Sequence, residues 1–429
     1  MKLSLQHLKK TFQRSLLTVL ILAVTPIMSN AQQVLSWEDC VRQTLGKNPE
    51  LISAAEAVRQ SQADKKITAS TALPQISSSL SAQRSISERE NNSFAYSVTG
   101  RQLLFDGFKN ANAIKAAAAN IQASEFNYAV ISSNIRLDLR EAYLDLIKAQ
   151  ELIDLTKTIF ERRKQNLRLV RLRHEAGREH KGALLAAEAD LANAEFEVEQ
   201  AKRNLSLAQT RLIRTIGLRE DMEVVASGDL TFDPSVYETP DFTALADNTP
   251  VLLVYAAQKD AARFNVGSKR GEFLPDVYLS SSAGKSNSFW PPEETAWSLG
   301  VSVTLPLFEG GSRLANLQKA RSRLRQAEAN MYSGRDSIII TLEETWKTFM
   351  DSVGTLEVQK KFLSAAEERA KIATAQYSSG LINFDDWVII EDNLVTQKKS
   401  YLNSQTNVLT AEARWVQAQG GTLEYDRIE

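Results

Sequence analysis

Residues 103–107 read LLFDG and residues 306–310 read PLFEG, so one aromatic-acidic-glycine turn is written twice in this chain. The turn pairs Phe105 with Phe308 and Gly107 with Gly310, an offset of 308 − 105 = 203 residues. Working outward, the same offset pairs Glu141 with Glu344, Tyr143 with Trp346, Gly177 with Gly380 and Leu191 with Leu394. Upstream the offset is 201: NPEL at 48–51 meets TPVL at 249–252, and Leu73-Pro74 meets Leu274-Pro275. The two-residue slip falls between Pro74 and Phe105, where a hairpin loop can absorb it. Registration over most of two halves is the signature of a tandem repeat, and the repeat decides the fold.

Each half has the same order. A first helix (36–69; 245–270) ends near Leu-Pro. Two strands follow, 75–86 with 94–105 and 276–286 with 295–306. A long helix (109–173; 312–376) then runs to a tip at Gly177 or Gly380, and a shorter helix (181–216; 384–419) returns. The Asp-, Pro- and Thr-rich link from Gly217 to Asn248 reads as a surface connection with little regular structure. The resulting division is a signal peptide at 1–31, a first repeat at 32–217 and a linker at 218–247. A second repeat follows at 248–421, with a tail at 422–429. The strand hairpins occupy 75–105 and 276–306, and the coiled-coil hairpins 109–216 and 312–419.

The start of the chain speaks for export. Lys2, Lys9, Lys10 and Arg14 precede the apolar run SLLTVLILAVTPIM at 15–28, and Ser29 and Ala31 suit cleavage before Gln32. A spanning helix needs about 20 apolar residues, and Pro26 interrupts this run. No Cys follows the cleavage site, so a lipid anchor there is not expected. The 51 Lys and Arg nearly cancel the 52 Asp and Glu, so nothing points to nucleic acid. The single Cys40 precludes an internal disulfide and reads as a buried small hydrophobe.

The strands alternate with period two. Phe94, Tyr96, Val98 and Leu104 share one face, with Ser97, Thr99 and Arg101 opposite. In the second half Trp297, Leu299, Val301, Val303 and Leu305 oppose Ser298, Gly300, Ser302 and Thr304. A soluble sandwich would need a second sheet, and four strands leave none. Lengths near ten residues match a tilted bilayer crossing. In lipid such a sheet must close on itself, and four strands cannot enclose a lumen, so the chain must share a barrel with other copies. Phe289, Trp290, Trp297, Phe94 and Tyr96 fall near the hairpin loops, as an aromatic girdle would.

The returning helices carry heptads. Leu184, Leu191, Val198, Leu205 and Leu212 are followed three residues on by Ala187, Ala194, Ala201, Ala208 and Thr215. The second half gives Trp387, Leu394, Tyr401, Val408 and Trp415, then Ile390, Gln397, Ser404, Ala411 and Ala418. At 1.5 Å per residue a helix of about 64 residues extends roughly 95 Å, much more than a globular domain needs.

With these features together, the chain resembles the TolC-like outer-membrane efflux proteins over almost its whole mature length. The LLFDG and PLFEG turns, the NPEL and LPQ segments and the repeat itself carry the resemblance. It implies a mainly α fold with a membrane β-barrel, in which a homotrimer forms a 12-stranded barrel in outer-membrane lipid and a periplasmic α-barrel. It implies as partners a periplasmic adaptor and an inner-membrane pump of RND or ABC type, and no cofactor. The hairpin tips of that family form the entrance and meet the adaptor, which points to Gly177, Arg178, Gly380 and Leu381. Its acidic entrance ring points to Asp386, with Asp385 beside it, and a tip tyrosine matches Tyr377. The family's second ring Asp is Ile389 here, and its Arg two residues past the glycine is Ile382.

The remaining polar residues do not announce chemistry. His174 and His180 flank the first tip without sharing a helical face, and Glu175 and Glu179 read as solvated. Glu141 and Glu344 either line the tube or bond between helices. No nucleophile elbow, phosphate loop or two-His helix motif is present. The expected role is a passive exit duct for drugs, metals or other toxic compounds. The same duct serving type I protein secretion is the alternative, and a coiled-coil adaptor or structural protein is the reading from another class.

Overall fold

A computed structural model describes residues 33–86, 90–219, 222–233 and 238–424; the proposed signal peptide lies outside them. The chain opens with β1 (Gln33–Leu35), α1 (Trp37–Lys47) and α2 (Pro49–Ser70), then β2 (Gln75–Ile86) and β3 (Glu90–Phe105). The first hairpin is α3 (Lys109–Glu175) and α4 (Lys181–Ile216). After β4 (Val224–Ala226) and α5 (Phe242–Asp247), the second half repeats the plan with α6 (Pro250–Gly271), β5 (Asp276–Asn287), β6 (Glu294–Thr304), α7 (Ser312–Ser379) and α8 (Phe384–Ala418).

The helices begin and end for local reasons. Ser36 and Asp39 form a capping box on α1. Asn48 ends α1 and caps α2 by accepting the N–H groups of Glu50 and Leu51. Pro49 fits the first turn of α2 but cannot continue α1. The single helix expected over 36–69 is therefore two. Thr249-Pro250 does the same in the second half, where Thr249 caps α6 and splits the helix expected over 245–270. Both repeated turns are left-handed at their glycine, Gly107 at φ 65° and Gly310 at φ 58°.

At 67 and 68 residues, α3 and α7 each extend about 100 Å at helical rise. The main core lies partway along them, where α1, α8 and the link converge. Leu139, Leu146, Leu212, Leu342, Phe349 and Val408 are buried there. Cys40 is buried too, and burial pushes its thiol up to about 12. The link is not the exposed connection expected. β4 pairs in parallel with β1, and Val224, Ala226 and Leu230 join the core. The apolar run Val224–Ala226 is too short to be read as a strand from its own pattern.

Down the first hairpin the buried line of α4 is Ala183, Ala187, Ala194, Ala201 and Ala208. Of the larger heptad residues on α4, only Leu212 is buried. Small side chains let α3 and α4 approach closely. On α8 the larger set is the buried one, including Trp387, Leu394, Val408 and Trp415.

At the other end four antiparallel strands lie in the order β2-β3-β5-β6. The register places Ile76, Leu80, Tyr96, Val98, Leu279, Leu299, Val301 and Val303 on one face. Ser77, Ser79, Ser97, Thr99, Ser280, Ser282, Ser298 and Ser302 occupy the other. Hydroxyl pairs cross that polar face at Ser79–Ser97 (3.0 Å) and Ser282–Ser298 (2.9 Å). On the apolar face Trp297, Leu299, Val301 and Val303 are exposed. β2 and β6 each have one unpaired edge within the chain. Among the described residues no helix is long and apolar enough to cross a membrane.

Candidate functional site

The two hairpin tips lie side by side, and the residues between them form the best-defined polar site in the chain. Each tip turns on a left-handed glycine, Gly177 at φ 69° and Gly380 at φ 81°. A Cβ on Gly177 would meet nothing within 4 Å, so this glycine serves the backbone turn alone. Arg178 and Leu381 are exposed on the outer surface of the tips.

Tyr377 lies inside the tip, not on its surface. Its ring stacks on Trp387 (centroids 4.3 Å apart, 8° between planes), with Phe384 edge-on to both. Its hydroxyl donates to Glu179 Oε2 at 2.8 Å. Arg173 completes the junction from α3: its guanidinium lies 4.5 Å from the Tyr377 ring centroid, and Nη1 donates to the Tyr377 carbonyl. Burial and then the bond to Glu179 raise the Tyr377 pKa, so the phenol stays a donor. Glu179, expected in solvent, is instead largely buried, because the tip folds its carboxylate back onto Tyr377. Glu175 is exposed.

A second junction lies deeper. Glu391 on α8 is 1% exposed and accepts from Arg162 Nε (2.6 Å) and Nη2 (2.7 Å) on α3. Asn166 Nδ2 and Thr374 Oγ1 donate to the same carboxylate at 3.2 Å each, and Trp387 Nε1 donates to Thr374 at 3.3 Å. Burial alone would raise the Glu391 pKa, but the bonds and charge of Arg162 outweigh it and hold the carboxyl below its ordinary value. Beside it, Arg163 reaches Asp392 on α8 and Asp190 on α4. The hairpins are thus tied by a forked ion pair below the tip and by a tyrosine at it.

Asp385 and Asp386 stand exposed in the first turn of α8, where acidic residues suit the helix dipole. Asn383 caps that turn by accepting the Asp386 N–H at 2.8 Å. These carboxylates are apart from the Tyr377 cluster and face outward from the single chain. The histidines have local duties. His180 Nδ1 accepts the Ala183 N–H and caps α4, while His174 Nδ1 meets the Glu179 carbonyl. Glu141 bonds between helices, to Arg414 at 2.8 Å.

Of the residues named from the sequence, Tyr377 lies in the tip cluster, whereas Asp385 and Asp386 stand exposed outside it; Arg162, Arg173 and Glu391 were not named. Arg162 and Glu391 are 229 residues apart in the chain, and charged helix residues are ordinarily solvated. The one available signal was that Glu391 follows Trp387 by one helical turn, on the side of the heptad seam.

The profile of the family described as outer membrane efflux protein matches residues 40–218 and 243–421, one match per repeat. The outer membrane efflux protein BepC of Brucella suis is 24% identical over 384 residues, covering 87% of this chain and 79% of that protein. The alkaline protease secretion protein AprF of Pseudomonas aeruginosa is 24% identical over 340 residues, 76% of this chain and 69% of its own. The crystal structure of CusC superposes with a TM-score of 0.81 at 17% identity, over 89% of this chain and 91% of CusC. The fold is TolC-like.

Proposed function

This chain belongs to the outer membrane efflux protein family, and from that membership we propose that it is the outer-membrane exit duct of a tripartite efflux system. The observation that carries the reading is the four-stranded sheet. Its exposed apolar face and two open edges are stable in lipid only if neighbouring copies pair those edges. Three copies give 12 strands, within the range of such barrels. The serine-rich face then lines a wet lumen, and the long hairpins carry that lumen into the periplasm. The chain is a conduit, and an inner-membrane pump supplies the energy through a periplasmic adaptor.

The tips are the entrance in this reading. Gly177, Arg178, Gly380 and Leu381 meet the adaptor, and their exposure and tight turns support that role. Asp386, with Asp385, forms an acidic ring where copies converge, attracting cations as carboxylate rings do. Tyr377 acts from within, holding the hairpins together through Glu179. Single-channel recording of Asp386→Asn tests the ring: reduced cation selectivity and weaker block by multivalent cations are expected, and unchanged values would sink it.

The likeness to AprF, whose name describes protease secretion, keeps protein secretion as a second cargo reading for the same duct. A deletion strain separates them. Restoration of compound resistance by the cloned chain supports efflux; restoration of a lost secreted protein with unchanged compound sensitivity supports secretion.

A further inference from the structure

Beneath the sheet the helices continue its row. The strand order β2-β3-β5-β6 becomes the helix order α2-α3-α6-α7, with α3 packed on α2 and α6, and α7 on α6. The layer is one helix thick there, so each helix shows one flank to either surface. α7 meets α6 through Leu317, Ala320 and Leu324, which cluster with Val266. At about 3.6 residues per turn, this packed line leaves Lys319 and Arg323 on one flank and Arg321 and Arg325 on the other. All four are exposed, and they lie roughly 10–20 Å along α7 from its start.

Elsewhere α7 pairs its cations: Arg313 with Glu309, Arg335 with Asp247 and Lys347 with Glu343. Among the described residues no carboxylate pairs with Lys319, Arg321, Arg323 or Arg325; Arg325 donates to the Ser322 hydroxyl at 3.2 Å. The repeat supplies a control. The counterparts on α3, 203 residues earlier, are Ala116, Ala118, Asn120 and Gln122, all uncharged. A helix in this place does not need the charge, and only α7 carries it.

A fifth cation stands on the polar face of the sheet. The register pairs Arg101 with Gln75 and Ser280, in line with Thr99 and Ser282. Its guanidinium carbon lies 3.8 Å from the ring centroid of Tyr278 on the same face, a stack that holds the group without neutralising it. Among the described residues the other charges of that face are Asp276, held by Lys109 at 2.6 Å, and Glu294 at the hairpin end. Whichever surface of the helical layer continues the polar face, it carries two of the α7 cations below Arg101. We propose that Arg101 and one α7 pair form a band of positive charge lining the membrane-proximal duct, where it engages carboxylate or phosphate groups of outgoing cargo. Rings of Arg and Lys favour anions in pores, and a passage with low-dielectric walls focuses their field. The proposal rests on the duct reading above and adds a cargo class to it, small anionic compounds.

Channel block tests the band. Tripolyphosphate added on the hairpin-loop side of wild-type channels in a planar bilayer should reduce their conductance. Arg101→Gln should raise the half-blocking concentration by about fivefold, and Arg101→Lys, which keeps the charge, should leave it near the wild-type value. Of Lys319→Gln/Arg323→Gln and Arg321→Gln/Arg325→Gln, one double variant should weaken the block and the other should not, which tells the lumen flank of α7. Both change exposed side chains only, so they carry the test should Arg101→Gln yield no channel. Block by hexamminecobalt, a trivalent cation, should weaken in none of them. An unchanged tripolyphosphate block in Arg101→Gln and both double variants overturns the band, as does an equal weakening with both probes. In a deletion strain, Arg101→Gln should restore resistance to cationic compounds fully and to anionic ones only in part; equal restoration overturns the cargo class. A wild-type chain that forms no channel overturns the duct reading, and the proposal with it.

Discussion

Glu391 is nearly inaccessible to solvent and retains its charge because Arg162 grips it with two nitrogens. Removing one partner of a buried pair leaves an uncompensated charge, so Arg162→Met should destabilise the hairpin junction by about 3–5 kcal/mol, read from the thermal unfolding midpoint. The lowered Glu391 pKa fixes the pH dependence. A carboxyl with a depressed folded pKa contributes stability that is fully present above its unfolded pKa and lost as pH falls through the folded one. The loss therefore belongs below about pH 4. Wild type should lose more thermal stability than Glu391→Gln between pH 5 and pH 3; parallel losses would contradict the assignment. Tyr377 and Asp386 were named from the family resemblance, which says nothing of their surroundings. A sequence places a tyrosine near a tip, but only packing shows that Trp387 covers its ring and that Glu179 accepts the hydrogen bond from its hydroxyl.

At the scale of elements the repeated turns make a discriminating pair. Both glycines have positive φ, so alanine is strained at either by about 1–2 kcal/mol. Gly107 also sits against α6, where an added Cβ would lie 2.5 Å from the Gly271 carbonyl oxygen, whereas Gly310 has nothing within 4 Å in the single chain. Gly107→Ala should therefore reduce the folded yield and unfolding temperature more than Gly310→Ala does; equal effects would contradict the packing. The long helices, the strand hairpins and their order were readable because periodicity over tens of residues is hard to mistake. The breaks at Asn48-Pro49 and Thr249-Pro250 were carried by the NPEL and TPVL segments themselves, in which a capping residue precedes proline. β1 and β4 were not readable, since three-residue strands are specified by their partner and not by their own pattern.

At the scale of the whole molecule the two faces of the sheet should tolerate charge differently. Leu299→Arg places a cation on the apolar face and should cost about 2–4 kcal/mol near the bilayer midplane. Ser298→Arg, one residue along and on the polar face, should leave the amount of protein in the outer membrane unchanged. Similar losses in both variants would mean that the apolar face does not meet lipid. The tandem repeat made this architecture legible, because each half shows the other's missing neighbour. Copy number was not legible: closure demands partners, and the count of three came from resemblance.

The central claim is that this chain becomes a duct only by sharing its barrel with other copies in the outer membrane. Counting subunits in outer-membrane fractions tests it most directly, by mass measurement of the detergent-extracted protein alongside heated and unheated gel samples. The account predicts a heat-labile particle of three chains in the outer membrane; a soluble monomer would contradict it.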